Sequence, residues 1–209
     1  MKIDPNVHKM DYLTLCDNNQ PYIYPKILYN FLTANECNQL LSVAIKKGLI
    51  DSMVSGFIND VKERKSKQCW LSYQNDEIVK IIFDKVESLI KIPKHQYEEM
   101  QVVKYGKNDF FNEHYDQCFL MEDYCKQELK RFSKPRYLTL LIYLNDKNNY
   151  EGGETYFKNI EFKFKGNKGD AILFHNLDQS RNYIHPFALH KGMHIHNGEK
   201  YIANVWIRD

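Results

Sequence analysis

Residues 101–116 read QVVKYGKNDFFNEHYD, and the period of this stretch decides the fold. Gln101 to Tyr105 reads as a strand, Gly106-Lys107-Asn108-Asp109 as a turn, and Phe110 onward as a second extended run ending in His114-Tyr115-Asp116. In extended chain, side chains two apart point to one face. His114 and Asp116 would therefore stand side by side, with Tyr115 facing the other way. An imidazole and a carboxylate so placed are two thirds of a 2-His-1-carboxylate triad, the Fe(II) arrangement that leaves coordination positions open. The same pair also fits an ordinary surface His and Asp near a strand end. Its meaning depends on whether the chain supplies a third ligand and a co-substrate pocket.

Upstream of this stretch the periodicity is helical. Thr33-Ala34-Asn35-Glu36 reads as a capping box, Leu40, Leu41, Ala44 and Ile45 follow at helical spacing, and Gly48 is a stop. Asp76 to Ile92 carries Ile78, Ile81, Ile82, Val86, Leu89 and Ile90 on one stripe and ends at Pro93, which predicts an amphipathic helix with a core face. Ile23 to Leu32 is apolar enough for an early strand. The basic run Val61 to Lys67 reads as a solvated loop, or alternatively as a flap near a peptide substrate.

Downstream the period is two. Strands are expected at Glu99 to Tyr105, Phe110 to Tyr115, Tyr137 to Asn145, Thr155 to Phe157, Ile160 to Phe164, Asp170 to Phe174, Ala188 to His194 and Tyr201 to Ile207. Helices first and short strands after predict an α+β fold, with helices packed on one outer face of a jelly roll (double-stranded β-helix). The expected layout is a single domain over residues 1–209: a lead-in over 1–20, mostly helical support over 21–98, and the jelly-roll core over 99–209.

The composition suits such a domain. The chain has 209 residues, 43% hydrophobic and 14% aromatic, enough for a full core. A formal net charge of +2 makes no bulk-charge case for a nucleic-acid partner. No apolar run reaches membrane-span length, and the first residues lack a signal-peptide core, so a soluble, cytoplasmic protein with no membrane partner is expected. The five cysteines (Cys16, Cys37, Cys69, Cys118, Cys125) form no C-x-x-C pair, and free thiols in a reducing compartment are the default.

Asn197-Gly198 between extended runs predicts a hairpin joining Leu189 to Ile195 with Lys200 to Ile207. On the first run His190, Gly192 and His194 share a face; on the second Lys200, Ile202, Asn204 and Trp206 do. If both faces are interior, a His and a Lys point into one cavity. A buried ammonium needs an anionic partner, and a small dicarboxylate would supply it. By position alone Lys200 could equally be a surface lysine, and His185, His194 and His196 compete with His190 as third ligand.

Taken together, HYD (114–116), RYLTLLIYLND (136–146), YEGGETYF (150–157), KGDAILFHN (168–176) and LHKGMHIHNGEKYIANVW (189–206) resemble the Fe(II)/2-oxoglutarate dioxygenases. In particular they are similar to the catalytic domain of collagen-type prolyl 4-hydroxylases, in the small stand-alone form of algae, bacteria and large DNA viruses. The resemblance runs from about Trp70 to the C-terminus. It implies His114, Asp116 and His190 as iron ligands, with His190 chosen over its competitors because it stands ten residues before Lys200. It implies that Lys200 anchors the distal carboxylate of 2-oxoglutarate, that Tyr105 and Thr155 line that pocket with Tyr143 a further candidate, and that Arg136 and Trp206 lie at the substrate end. Fe(II), 2-oxoglutarate, dioxygen and ascorbate are the implied cofactors and co-substrates, and a proline-rich polypeptide is the implied partner, hydroxylated at proline with release of succinate and CO2.

The chain also departs from the pattern. Ala188 stands where Ser is usual, Met193-His194 where Pro-Val is usual, and the segment with Cys118, Met121 and Cys125 is particular to this sequence. Substrate choice is where these departures bear. The alternatives are the same chemistry on a lysyl residue, a nucleobase or a small molecule, a jelly roll that binds without turnover, and a zinc hydrolase. An anchoring Lys rather than Arg favours the prolyl branch.

Overall fold

The computed structural model describes residues 22–52, 62–118 and 123–208. The lead-in, Cys16, Val61 and Met121 lie outside the described residues. Among the described residues three α-helices and fourteen strands follow in chain order. They are β1 (Lys26–Leu28), α1 (Ala34–Lys47), β2 (Ile50–Asp51), β3 (Arg64–Lys65), β4 (Lys67–Leu71), α2 (Glu77–Ile90), β5 (Met100–Tyr105), β6 (Phe110–His114) and α3 (Asp123–Phe132). Then come β7 (Arg136–Tyr143), β8 (Tyr150–Gly152), β9 (Thr155–Phe157), β10 (Phe162–Phe164), β11 (Ala171–His175), β12 (His190–Gly192), β13 (Ile195–Gly198) and β14 (Lys200–Arg208).

The strands form a seven-stranded sheet ordered β1-β11-β7-β14-β5-β4-β2, a five-stranded sheet ordered β10-β9-β12-β6-β3, and a β13-β8 pair. All of the pairings are antiparallel. The large sheet is apolar on both faces, and residue parity separates them. Val102, Leu138, Leu140, Ile142, Ala203, Val205 and Ile207 pack with α1 and α2. Val103, Tyr105, Leu141, Tyr143, Ile172, Phe174 and Ile202 face the other way and pack with Phe157 and Ala188. The helices thus cover one face of the large sheet, and the small sheet meets the other. Among the described residues no helix is long and apolar enough to cross a membrane.

The capping box forms as the sequence indicates. Thr33 Oγ1 accepts from the Glu36 amide at 3.2 Å, and Glu36 Oε2 accepts from the Thr33 amide at 2.8 Å. Gly48 ends α1 at φ 93°, where a side chain is disfavoured. On α2 the buried face is Ile78, Val79, Ile82, Phe83 and Val86. Ile81, expected on the stripe, is 38% exposed, because the helix turns Val79 and Phe83 inward. Phe83 is fully buried between Tyr73 and Tyr97.

Several expectations are corrected. The early strand shrinks to Lys26–Leu28, since Pro25 lacks an amide hydrogen and Asn30 turns the chain at φ 52° with its amide on Asp170 Oδ1. The basic run is no loop at Arg64, which is buried in β3 against β6. Asn197-Gly198 does not join the two runs as a hairpin: β13 pairs with β8, whereas β14 pairs with β5 and β7 in the large sheet. Gly198 at φ 78° packs on the Asn149 carbonyl, and this close approach ties the turn to β8. Cys118 and Cys125 are not free thiols but a disulfide with a Cα separation of 5.5 Å, within bridging range.

Phe83→Ala is expected to lower stability in urea unfolding by about 3–5 kcal/mol, the usual range for deleting a buried aromatic. Ile81→Ala, on the same helix, should change it by less than about 1 kcal/mol. Equal losses would mean that α2 is rotated relative to this packing.

Candidate active site

β6 and β12 bring the two histidines together. They pair in the small sheet with His190 directly opposite His114, and the ring centroids lie 4.3 Å apart. Asp116 follows just past the end of β6. One ligand atom from each of His114, Asp116 and His190 falls within 4.8 Å of the others, which is metal-binding spacing. Each ring is oriented through Nδ1: His114 Nδ1 lies 2.8 Å from the Asn112 carbonyl and His190 Nδ1 lies 2.8 Å from the Ala188 carbonyl. Carbonyls only accept, so Nδ1 carries the hydrogen in both rings and Nε2 is left as the donor to a metal. Phe111 stacks on His114 and Phe157 on His190, holding both rings in place.

Electrostatics suit a cation. Burial holds the His190 imidazole down at about 4, so it is neutral at physiological pH, as a metal ligand must be. Burial disfavours the Asp116 carboxylate, but the neighbouring imidazoles and the Thr139 hydroxyl outweigh it and hold this carboxyl below the usual range. His194 and His196 are exposed, and His194 stacks on Phe110. His185 is buried but is engaged elsewhere, accepting from the Ile23 amide at 2.8 Å. None of these three joins the cluster.

Lys200 opens β14 opposite Tyr105 of β5 and is 2% exposed. Its Nζ donates to the Gly153 carbonyl at 2.7 Å, and no ion pair reaches it among the described residues. Gly153 brings its carbonyl there at φ 70°, with no room for a Cβ against Ile195. The ammonium lies 5.6 Å from the Tyr105 ring and 5.4 Å from the Tyr143 ring. Tyr143 hydroxyl and Thr155 Oγ1 are 2.8 Å apart. Burial pushes the Lys200 ammonium down to about 7, with Glu154 partly opposing the shift.

The cluster and Lys200 line one cleft, open to solvent at its mouth. Along β14 the lining runs Lys200, Ile202, Asn204, Trp206. Arg136 does not line it. Its guanidinium grips both Glu98 oxygens at 2.6 and 2.8 Å, donates to the Asp116 carbonyl at 2.9 Å, and lies 4.0 Å over the Trp206 ring. Arg136 thus braces the backbone of Asp116 from behind Trp206. Lining residues that the sequence reading missed are Arg64, Gln101, Phe111 and Leu141. Gln101 shares strand parity with Val103 and Tyr105 and was legible on that basis; Arg64 sits in a run of charges that gives no such signal.

Residues 100–208 match the family model of the 2OG-Fe(II) oxygenase superfamily, just over half of the chain. The chain belongs to that superfamily. A provisionally named prolyl 4-hydroxylase of Acanthamoeba polyphaga mimivirus is 36% identical over 204 residues, covering 98% of this chain and 82% of the mimivirus protein. Prolyl 4-hydroxylase 2 of Arabidopsis thaliana is 31% identical over 85% of this chain, which spans 64% of the plant protein's length. The solved viral collagen prolyl hydroxylase of Paramecium Bursaria Chlorella virus-1, in its 2OG complex, is similar with a TM-score of 0.71 and 31% identity, covering 89% of this chain and 96% of that one. Fe(II) and 2-oxoglutarate are therefore the metal and co-substrate of this oxygenase. Its residues fit them: two inward Nε2 atoms and a carboxylate suit a divalent metal with open positions, and Lys200, with no ion-pair partner among the described residues, suits a carboxylate.

The affinity for 2-oxoglutarate should depend on pH through Lys200. A dianion paired with the protonated amine would bind with an affinity that is flat below about pH 7 and falls above it, up to about tenfold per pH unit. Calorimetric titration of 2-oxoglutarate into the Mn(II)-loaded protein from pH 6 to 9 checks this. An affinity constant over the whole range would place the co-substrate away from Lys200.

Proposed function

We propose that this oxygenase 4-hydroxylates prolyl residues in proline-rich or collagen-like polypeptides, coupled to conversion of 2-oxoglutarate to succinate and CO2. The observation that carries the reading is the buried Lys200 ammonium, held by one backbone carbonyl in the same cleft as the His114, Asp116 and His190 cluster. Prolyl 4-hydroxylase relatives supply the substrate class. In this reading the two facing sheets are a double-stranded β-helix and the chain acts as one catalytic domain.

Each residue then has a task. His114 and His190 offer Nε2 and Asp116 one carboxylate oxygen to Fe(II), on the wall formed by β6 and β12. Lys200 holds the distal carboxylate of 2-oxoglutarate through a charge-assisted bond that is strong because the site is desolvated. Tyr105 and Thr155 bound that end of the cleft and exclude water. When bound, the iron and co-substrate together activate dioxygen for insertion into a C–H bond, and ascorbate keeps the metal reduced. Trp206 and Asn204 lie farther along β14, where the prolyl ring would sit. A polyproline II segment is pre-extended and loses little entropy on entering such a groove. Arg136 acts from behind, through Trp206 and the Asp116 backbone.

Incubation with Fe(II), 2-oxoglutarate and ascorbate should release succinate with proline-rich or collagen-like peptides and place one oxygen atom on proline by mass spectrometry. Oxygen on lysine, or succinate release only with a nucleobase substrate, would replace the prolyl reading by another member of the same chemistry. Lys200→Ala should raise the 2-oxoglutarate requirement strongly while metal binding persists. His190→Ala should abolish turnover and His194→Ala and His196→Ala should retain most of it; the reverse pattern would mean that the third ligand is another histidine.

A further inference from the structure

Asp116 has two carboxylate oxygens, and a three-ligand site with open positions needs only one of them. The second is already engaged. Thr139 Oγ1 lies 2.7 Å from Asp116 Oδ2 and 2.8 Å from Asn176 Nδ2. A carboxylate only accepts and a hydroxyl carries one hydrogen, so Thr139 donates to Oδ2 and accepts from the Asn176 amide NH2. That fixes the direction of the whole chain, and successive bonds of this kind polarise one another. Asn176 is itself held: its backbone amide donates to the Tyr137 carbonyl at 2.8 Å, and its carbonyl accepts from the His185 amide at 2.9 Å. Its Oδ1 is buried without a hydrogen-bond partner among the described residues. Leaving an amide oxygen unpaired is costly, and here it accompanies delivery of the NH2 end to Thr139.

We propose that Asn176 and Thr139 are positioning residues that occupy Asp116 Oδ2 and confine this carboxylate to one-oxygen ligation through Oδ1. Oδ1 faces His114 Nε2 at 3.5 Å, on the side where the ligand atoms converge. Ligation through both oxygens would consume a coordination position that chelating 2-oxoglutarate and dioxygen require. The inference rests on His114, Asp116 and His190 being the metal ligands.

Thr139→Val removes the hydroxyl while keeping the shape, Thr139→Ser restores the hydroxyl, and Asn176→Ala removes the amide donor. The readouts are anaerobic Co(II) affinity and the Co(II) ligand-field spectrum, with folding followed by circular dichroism of the metal-free protein. Thr139→Val should bind Co(II) about 10–100-fold more weakly, the usual effect of losing such a partner, and with an altered spectrum. Thr139→Ser should match the unsubstituted protein, and Asn176→Ala should shift the spectrum in the same direction as Thr139→Val. A folded Thr139→Val with unchanged affinity and spectrum overturns the proposal, as does Thr139→Ser as impaired as Thr139→Val. Should Thr139→Val fail to fold, an unchanged Asn176→Ala spectrum overturns it. Unsubstituted protein that binds no Co(II) overturns the ligand assignment itself, an outcome distinct from the other three.

Discussion

The pairing of β12 with β6 is the constraint on which the site depends, because it sets His190 against His114 from residues 76 positions apart in sequence. β12 has only three residues and would not hold this register alone. It is clamped on its other side by β9, where His190 stands opposite Phe157, and the Phe157 ring fills the space beneath the imidazole. The two Nδ1 bonds to backbone carbonyls then remove the remaining freedom of the rings. Rigidity is carried by the large sheet and by the helices on its far face, which leave the small sheet free to present ligands. This separation of support from chemistry explains why most of the helices and strands in the N-terminal third do not reach the cleft, β3 with Arg64 being the exception.

Charge balance gives the cleft its second constraint. Asp116 is half-buried and Lys200 buried, and both line one cleft, yet they do not pair with each other. Fe(II) would bring two positive charges and 2-oxoglutarate two negative ones, so loading both would leave the net charge of the cleft unchanged. Without them burial keeps the His190 imidazole neutral and the lysine sits near its own midpoint of protonation. Burial of Lys200 is tolerated because its full charge is needed only when an anionic partner arrives.

Much of this was legible in the sequence wherever a local period governs the outcome. The H-x-D pair, the capping box, the α2 helix and the shared face of Lys200, Ile202, Asn204 and Trp206 follow from spacings of two or of about 3.6 residues. Partner choice between strands is not local, and there the reading failed. Asn197-Gly198 carries hairpin chemistry, but its flanking strands go to different sheets because β8 and the β5–β7 slot bury more apolar surface than a two-stranded ribbon would. Arg136 is a similar case: its place beside the cleft was legible, but the Glu98 carboxylate that turns it toward the Asp116 backbone comes from 38 residues away. Thr139 lies on the same strand face as Leu141 and Tyr143, so a polar residue in an apolar row was visible, though its target was not. The Cys118–Cys125 bond had no motif to announce it.

The most direct test of the account is a crystal structure of the protein grown anaerobically with Fe(II) and 2-oxoglutarate. Iron is expected on His114 Nε2, His190 Nε2 and one oxygen of Asp116, with the distal carboxylate of 2-oxoglutarate on Lys200 Nζ. Iron at any other set of side chains, or a co-substrate whose distal carboxylate lies away from Lys200, would contradict it.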